Sequence, residues 1–205
     1  MIRKGLYGMV VCGGQSTRMG TDKSEMVYHK KPQREHVSEM LSDFCEKVFV
    51  SCNSKQAGRI SNPDSLLIDL PEFSNIGPMA ALLTANFFFP DRDFVVLACD
   101  YPFIIKKDLA SFLQAIDEKS FAAAFYNEQH GVYEPLIAWY SKDALLEIQN
   151  RFHSQQYSLQ KFLKDSEAQQ FKPSDTEHMK SVDTPEDSFQ AKQIIYHKMH
   201  FQTCL

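Results

Sequence analysis

Three charged side chains stand where phosphates are commonly handled: Arg18, Lys23 and Asp100. The first two close a stretch that begins with an apolar run, Tyr7 to Cys12. It continues through Gly13-Gly14, a Gln15-Ser16-Thr17 polar turn, Arg18, Gly20 and Lys23. Paired glycines let main-chain N–H groups approach an anion, because no Cβ intervenes. Arg grips two oxygens at once, and Lys acts as a point charge. The stretch therefore reads as a buried strand running into a phosphate-holding loop. Two common phosphate loops do not fit. G-x-x-x-x-G-K-[ST] needs Lys directly after its second glycine, where Thr21 and Asp22 intervene, and G-x-G-x-x-G fails because Gly13 and Gly14 are adjacent. A plain Gly-rich turn after an edge strand is the alternative for this loop taken alone.

Asp100 follows the clearest central strand, Phe94 to Ala98, in the run Cys99-Asp100-Tyr101-Pro102-Phe103. Burying a carboxylate there is costly unless something pairs with it. Mg2+ typically takes one or two carboxylates together with substrate phosphates. The other role open to Asp100 is to cap the following turn or helix. Beside a phosphate loop in the same chain, the metal reading is preferred. His197 and His200 have a spacing that would allow ligation, but they belong to a stretch, His197 to Leu205, read as a solvated tail.

The elements that must position these groups follow from periodicity. Pro32 suits a first helical turn, and Val37, Met40, Leu41 and Phe44 then recur on one helical face. Val48 to Cys52 is a second strand, which with the first predicts a right-handed βαβ unit and a parallel sheet. Leu66 to Asp69 is a third. In such sheets ligands bind outside the carboxyl ends of the strands, which gathers Gly13, Gly14, Ser51, Asn53 and Asp100 at one edge. Gly77-Pro78 opens an almost wholly apolar helix, Met79 to Phe88, whose N-terminus suits an anion or a polar base edge. It could equally do no more than start the helix. Further helices are expected over Lys107–Lys119, Asp143–Phe152 and Ser158–Leu163, with Ser158 as a cap. Strands are expected at Ala122–Tyr126 and Pro135–Tyr140, with short closing strands at Phe171 and Met179–Val182. The polar segment Asn127 to Gly131 is placed to receive a second substrate or to form a plain hairpin. Asp183-Thr184-Pro185 opens a last helix, with Asp or Thr as cap and Pro at the first position.

The chain has 205 residues, 43% hydrophobic and 23% charged, enough for one well-buried domain. A net charge of −4 argues against a general nucleic-acid binder. No apolar run approaches a membrane span. The short N-terminal strand is broken too soon for a signal peptide. Five cysteines without a C-x-x-C pair fit free thiols in a reducing compartment, so the cytoplasm is expected. Residues 1–190 are read as a single domain, with 191–205 as a helix end and tail. The expected fold is α/β: a mostly parallel sheet with helices on both faces and a mixed portion in the second half.

The first stretch resembles the L-A-G-G-x-S-x-R-M-G-x-D-K signature of the MobA-like nucleotidyltransferases, and in particular of their molybdenum cofactor guanylyltransferase branch. Four further segments match that family in order. They are Gly77-Pro78-Met79-Ala80-Ala81 (G-P-L-A-G), Leu97 to Phe103 (P-C-D-x-P-[FY]), Glu134 to Ala138 (E-P-L-x-A) and Ser181 to Asp187 (N-x-N-T-P-E-[ED]). The resemblance implies that main-chain groups of Val11, Cys12 and Gly13, with Gly14 beside them, line a guanine nucleotide site. It implies that Arg18 and Lys23 hold the triphosphate, that Ser51, Asn53 and Asp69 contact base and ribose, and that Gly77-Pro78 close over the base. Asp100 would hold Mg2+, and the fold would be a single-domain three-layer α/β/α nucleotide-binding arrangement, Rossmann-like and of GT-A type. Family members join GTP to the phosphate of molybdopterin cofactor and release pyrophosphate. Other molybdenum cofactor biosynthesis or acceptor proteins are then expected partners, and no nucleic acid or membrane.

The chain departs from the pattern at several points. Cys12 replaces Ala, Ser51 stands where Asn is common, and His29-Lys30-Lys31-Pro32 lacks the glycine of x-G-K-P. Ser181 and Asp183 replace the N-x-N pair, so Asp183 is a candidate second metal ligand. In the implied chemistry an acceptor phosphate attacks the α-phosphorus in line with departing pyrophosphate. An ionised phosphate needs no general base, in keeping with the absence of a clear His–acid pair. The rival readings are a cytidylyl- or sugar-phosphate nucleotidyltransferase of the same fold, and a non-catalytic nucleotide-binding protein that kept it.

Overall fold

The computed structural model describes residues 2–12, 22–58, 60, 63–117 and 119–201. Its centre is a seven-stranded sheet in the order β3-β2-β1-β4-β6-β5-β7. β1 (Arg3–Val11) is buried along its last six residues, as an apolar run covered on both faces must be. It lies parallel to β2 (Cys45–Cys52) on one side and to β4 (Asp93–Ala98) on the other. β3 (Leu66–Ile68) extends the parallel half beyond β2. β6 (Val132–Tyr140) runs antiparallel to β4 and to β5 (Ala122–Asn127), and β7 (Gln169–Phe171) returns parallel to β5. Among the described strands β6 alone is reversed, so the sheet is mostly parallel with a mixed second half, as expected.

Helices cover both faces. α1 (Gln33–Ser42) packs over β1 at Gly8, where an added Cβ would meet Cys45 Sγ at 3.1 Å and Leu41 Cβ at 3.2 Å. That glycine lets the helix approach. α4 (Lys106–Ala115) sends Phe112 against Phe125 and Phe171. On the other side, α3 (Met79–Phe88) packs on α5 (Lys142–His153). α6 (Leu159–Asp165) sets Phe162 beside Phe121 and Tyr140. Ser158 caps α6 by accepting from Lys161 N at 3.1 Å. α2 (Ser54–Ala57) is a single turn, and α7 (Pro185–Phe201) closes the described chain.

Three expectations about elements are corrected. The helix expected to reach Lys119 ends at Ala115, because Asp117 starts a turn of its own: its carboxylate accepts from Lys119 N at 2.8 Å and its carbonyl from Ser120 N at 2.9 Å. Met179–Val182 is no strand. Thr176–Met179 forms a 3-10 turn, and Val182 N makes one bond, to Asp100 O at 2.8 Å, rather than a ladder. The stretch from His197 to Phe201 is helical, because Ala191 and Ile195, one turn apart, pin α7 against Tyr28 and Phe103. Cys204 and its neighbours from 202 lie outside the described residues, as do Gly13, Gly14 and Arg18.

Candidate active site

Lys23 opens a short 3-10 turn, Lys23–Glu25, capped by Asp22. Asp22 Oδ1 accepts from Ser24 N at 3.0 Å and from Ser24 Oγ at 2.8 Å. The other oxygen, Oδ2, accepts from Gln56 Nε2 at 2.9 Å, and the same amide donates to the Cys12 carbonyl at 3.2 Å. Gln56 thus ties the carboxyl end of β1 to the turn that carries Lys23. Lys23 Nζ donates to Asp183 Oδ1 at 2.6 Å and lies 3.8 Å from Asp100 Oδ2. One cation sits between two carboxylates drawn from segments far apart in sequence.

The two carboxylates differ in character. Asp183 is half exposed and held below the usual carboxylate range, first by Lys23 and further by Ser181 Oγ, which donates to Oδ2 at 2.9 Å. Asp100 is raised above its ordinary value: burial outweighs the nearby Lys23, and Asp183 pushes the same way as burial. Its Oδ1 is sealed from solvent with no hydrogen-bond partner among the described residues, while Oδ2 faces Lys23. An orphaned carboxylate oxygen in such a place is an unmet demand for a cation or a donor. The bond from Val182 N to Asp100 O holds the two acidic segments side by side.

On the β2–β3 side, Ser51 Oγ donates to Asp69 Oδ1 at 3.1 Å. Burial raises the Asp69 carboxyl and this bond partly offsets it. Asn53 starts α2 in a reciprocal cap: its Oδ1 accepts from Gln56 N at 3.1 Å, and Gln56 Oε1 accepts from Asn53 N at 3.2 Å. Gly77 adopts φ +68, a conformation that favours glycine, and Pro78 then precedes α3. Cys12 and Cys99, on neighbouring strand ends, are buried free thiols with their sulfurs 3.5 Å apart. On the β6 side, Tyr101 donates to Glu134 Oε2 at 2.9 Å. Burial lifts the Glu134 carboxyl, Tyr101 opposes that, and Asp100 adds to it. Beneath the Asp100 loop, His29 Nε2 donates to the Pro102 carbonyl at 2.8 Å while its ring stacks on His36 at 3.9 Å.

The structure therefore brings Val11, Cys12, Lys23, Asp100 and Asp183 to one sheet edge. Ser51 is joined to Asp69 nearby, while Asn53 and Gly77-Pro78 lie at the element starts that flank that edge. Sequence reasoning missed Gln56, although Asn53-x-x-Gln56 carries the capping-box pattern. His29 had no sequence signal. A His–acid pair does exist, contrary to expectation: His178 Nδ1 lies 2.7 Å from Asp108 Oδ2. Its members are 70 positions apart in sequence, and it belongs to the start of α4, where Asp108 also accepts from Ile105 N at 3.3 Å.

The model of the MobA-like NTP transferase domain matches residues 8–171. A molybdenum cofactor biosynthesis bifunctional protein of Synechocystis is 28% identical over 183 residues, covering 89% of this chain and 52% of that protein. The chain thus spans about half the length of that relative. A molybdenum cofactor guanylyltransferase of Pseudomonas entomophila is 29% identical over 156 residues, 76% of this chain and 80% of that one. The solved structure of molybdopterin-guanine dinucleotide biosynthesis protein A from Archaeoglobus fulgidus has the same fold. It superimposes with a TM-score of 0.73 at 22% identity, covering 93% of this chain and 98% of that one.

Proposed function

The chain belongs to the MobA-like NTP transferase family, and from that premise we propose that it transfers GMP from GTP to the phosphate of molybdopterin cofactor, releasing pyrophosphate. The observation that carries the proposal is the Asp100–Lys23–Asp183 cluster at the carboxyl edge, with one Asp100 oxygen buried and unpartnered among the described residues.

Both substrates are anions, so their mutual repulsion is the first barrier. Lys23, held in place by Asp183 and by the capped Asp22 turn, offers a preoriented positive charge to the triphosphate. Arg18 adds a second cation in this reading. Main-chain groups of Val11, Cys12, Gly13 and Gly14 line the nucleotide, Ser51, Asn53 and Asp69 meet base and ribose, and Gly77-Pro78 bound the base. The acceptor phosphate is already ionised, so no side chain need remove a proton; binding and alignment are the protein's main contributions.

Mg2+ is the metal this chemistry implies, and the residues fit it. The orphaned Asp100 oxygen would supply one ligand and Asp183 a second; among the described residues no cluster of three ligating side chains is present. Two carboxylates suit an ion that keeps phosphate oxygens and water in its shell. Bound there, Mg2+ would supply charge neutralisation and polarisation of phosphoryl oxygens.

The proposal takes residues 1–190 as the transferase domain and places it in the cytoplasm. No helix among the described residues is long and apolar enough to cross a membrane. Pyrophosphate release from GTP with molybdopterin cofactor is the test. Asp100→Asn and Lys23→Met should each lower turnover by roughly 100-fold or more with melting unchanged; wild-type turnover in both would reject the mechanism. A thermal-shift series with GTP, CTP, UTP and ATP decides the nucleotide. Greater stabilisation by CTP than by GTP would move the chain to the cytidylyl reading.

A further inference from the structure

We infer that Glu134 selects the acceptor by accepting N–H donors from a 2-amino-4-oxo pyrimidine edge, such as that of a pterin. The inference rests on the guanylyl-transfer reading above and identifies the part of the acceptor that this chain recognises.

Placement comes first. Asp100 lies at the end of β4, between β1 and β6. Cys12, Ser51 and Asp69 all lie on the β1–β3 side, which the proposed nucleotide fills. The β6 side remains for the second substrate. β4 and β6 pair antiparallel from Phe94↔Tyr140 to Leu97↔Ile137. Beyond that ladder, Tyr101, the residue after Asp100, bonds Glu134, and the Asp100 charge acts on the Glu134 carboxyl, so Glu134 stands beside the strand end that carries Asp100.

The fold invests in that position. β5 pairs Ala124 with Ala138 but Phe125 with Glu134, so β6 bulges through Pro135. Bulges of this kind re-aim side chains beside active sites. The bulge is pinned from below: buried Tyr140 donates its hydroxyl to the Pro135 carbonyl at 2.9 Å. From above, Tyr101 donates to Glu134 Oε2 at 2.9 Å, and among the described residues it is the one hydrogen-bond donor on that carboxylate. A carboxylate has lone pairs for about four hydrogen bonds, so most of its capacity remains.

Charge then decides what it meets. A carboxylate repels the acceptor's phosphate, so Glu134 must face a different part of that molecule. A 2-amino-4-oxo edge presents two adjacent N–H groups, which a carboxylate can accept in parallel as it does from a guanidinium. Guanine carries the same edge. The β6 placement favours the pterin, and the test separates the two.

Fluorescence titration of the full chain with 6-hydroxymethylpterin and with 6-hydroxymethyllumazine, which has a carbonyl in place of the 2-amino group, reads the contact without catalysis. The wild type should bind the pterin more tightly. Glu134→Gln, which keeps an acceptor for Tyr101, should weaken pterin binding roughly 10- to 100-fold and remove the discrimination. In turnover, Glu134→Gln should raise the KM for molybdopterin and leave that for GTP unchanged. Tyr101→Phe, which only frees the carboxylate, should give the same pattern more weakly. Equal binding of pterin and lumazine by the wild type would overturn the inference. So would a raised KM for GTP alone, which would assign Glu134 to guanine. Absence of pyrophosphate from GTP and molybdopterin, with pterin discrimination intact, would sink the guanylyl reading and keep this one.

Discussion

Lys30 occupies φ 67, in the left-handed region that non-glycine residues enter at a penalty of about 1–2 kcal/mol. The family motif x-G-K-P carries glycine at this point, so the missing glycine marked a strained turn. Lys30→Gly should stabilise the protein by roughly 0.5–1 kcal/mol, since relief of strain exceeds glycine's greater chain entropy. Chemical denaturation measures it, and a loss of stability would contradict the account. His36 makes a second prediction at this scale. Burial, chiefly, lowers its pKa from 6.5 to about 4, with His29 and Lys31 pressing the same way and Glu39 opposing. The unfolded chain then binds a proton that the folded chain refuses, so stability falls as pH drops from 6.5 towards about 4. His36→Gln should flatten that slope in melts across the window. Lys23 and Asp100 were readable because charge beside a Gly-rich loop or a buried strand end has few uses. The Asn53–Gln56 cap was legible in its spacing, but the bonds of Gln56 and His29 to the Cys12 and Pro102 carbonyls were not, because only the fold sets where those carbonyls lie.

Helices and strands were readable where one period dominated. Met79–Phe88 falls where its apolar run places it, and the last helix starts at Pro185, with Thr184 Oγ1 accepting from Asp187 N at 3.2 Å. Met179–Val182 misled because two apolar residues around Lys180-Ser181 are too short a stretch to tell a strand from a packed turn. The β6 bulge was equally hidden, since its register depends on β5 and not on its own residues. Tyr140→Phe should remove the pin beneath Pro135 and destabilise the protein by about 1–2 kcal/mol. If the bulge aims Glu134, the same variant should raise the KM for molybdopterin while sparing that for GTP. An unaltered acceptor KM would mean that the bulge holds its shape without Tyr140.

At the scale of the molecule, the sheet reverses its strand order between β1 and β4, the switch point where open α/β sheets bind ligands. The family match ends at residue 171, yet Asp183 and α7 complete the cluster. Ile195 and Ala191 form a small core with Tyr28 and Phe103, close in sequence to Lys23 and Asp100 respectively. Ile195→Ala should destabilise the protein by roughly 2–4 kcal/mol and weaken GTP binding by calorimetry. Full GTP affinity in the variant would show that α7 is dispensable to the edge.

The Lys23–Asp183 bond spans most of the polypeptide. During synthesis, therefore, a nascent chain can assemble its first four strands and still lack the partner that steadies Lys23. Asp183 follows β7, so in the guanylyl-transfer reading a product that stops short of it should leave Lys23 without that partner and turn over poorly.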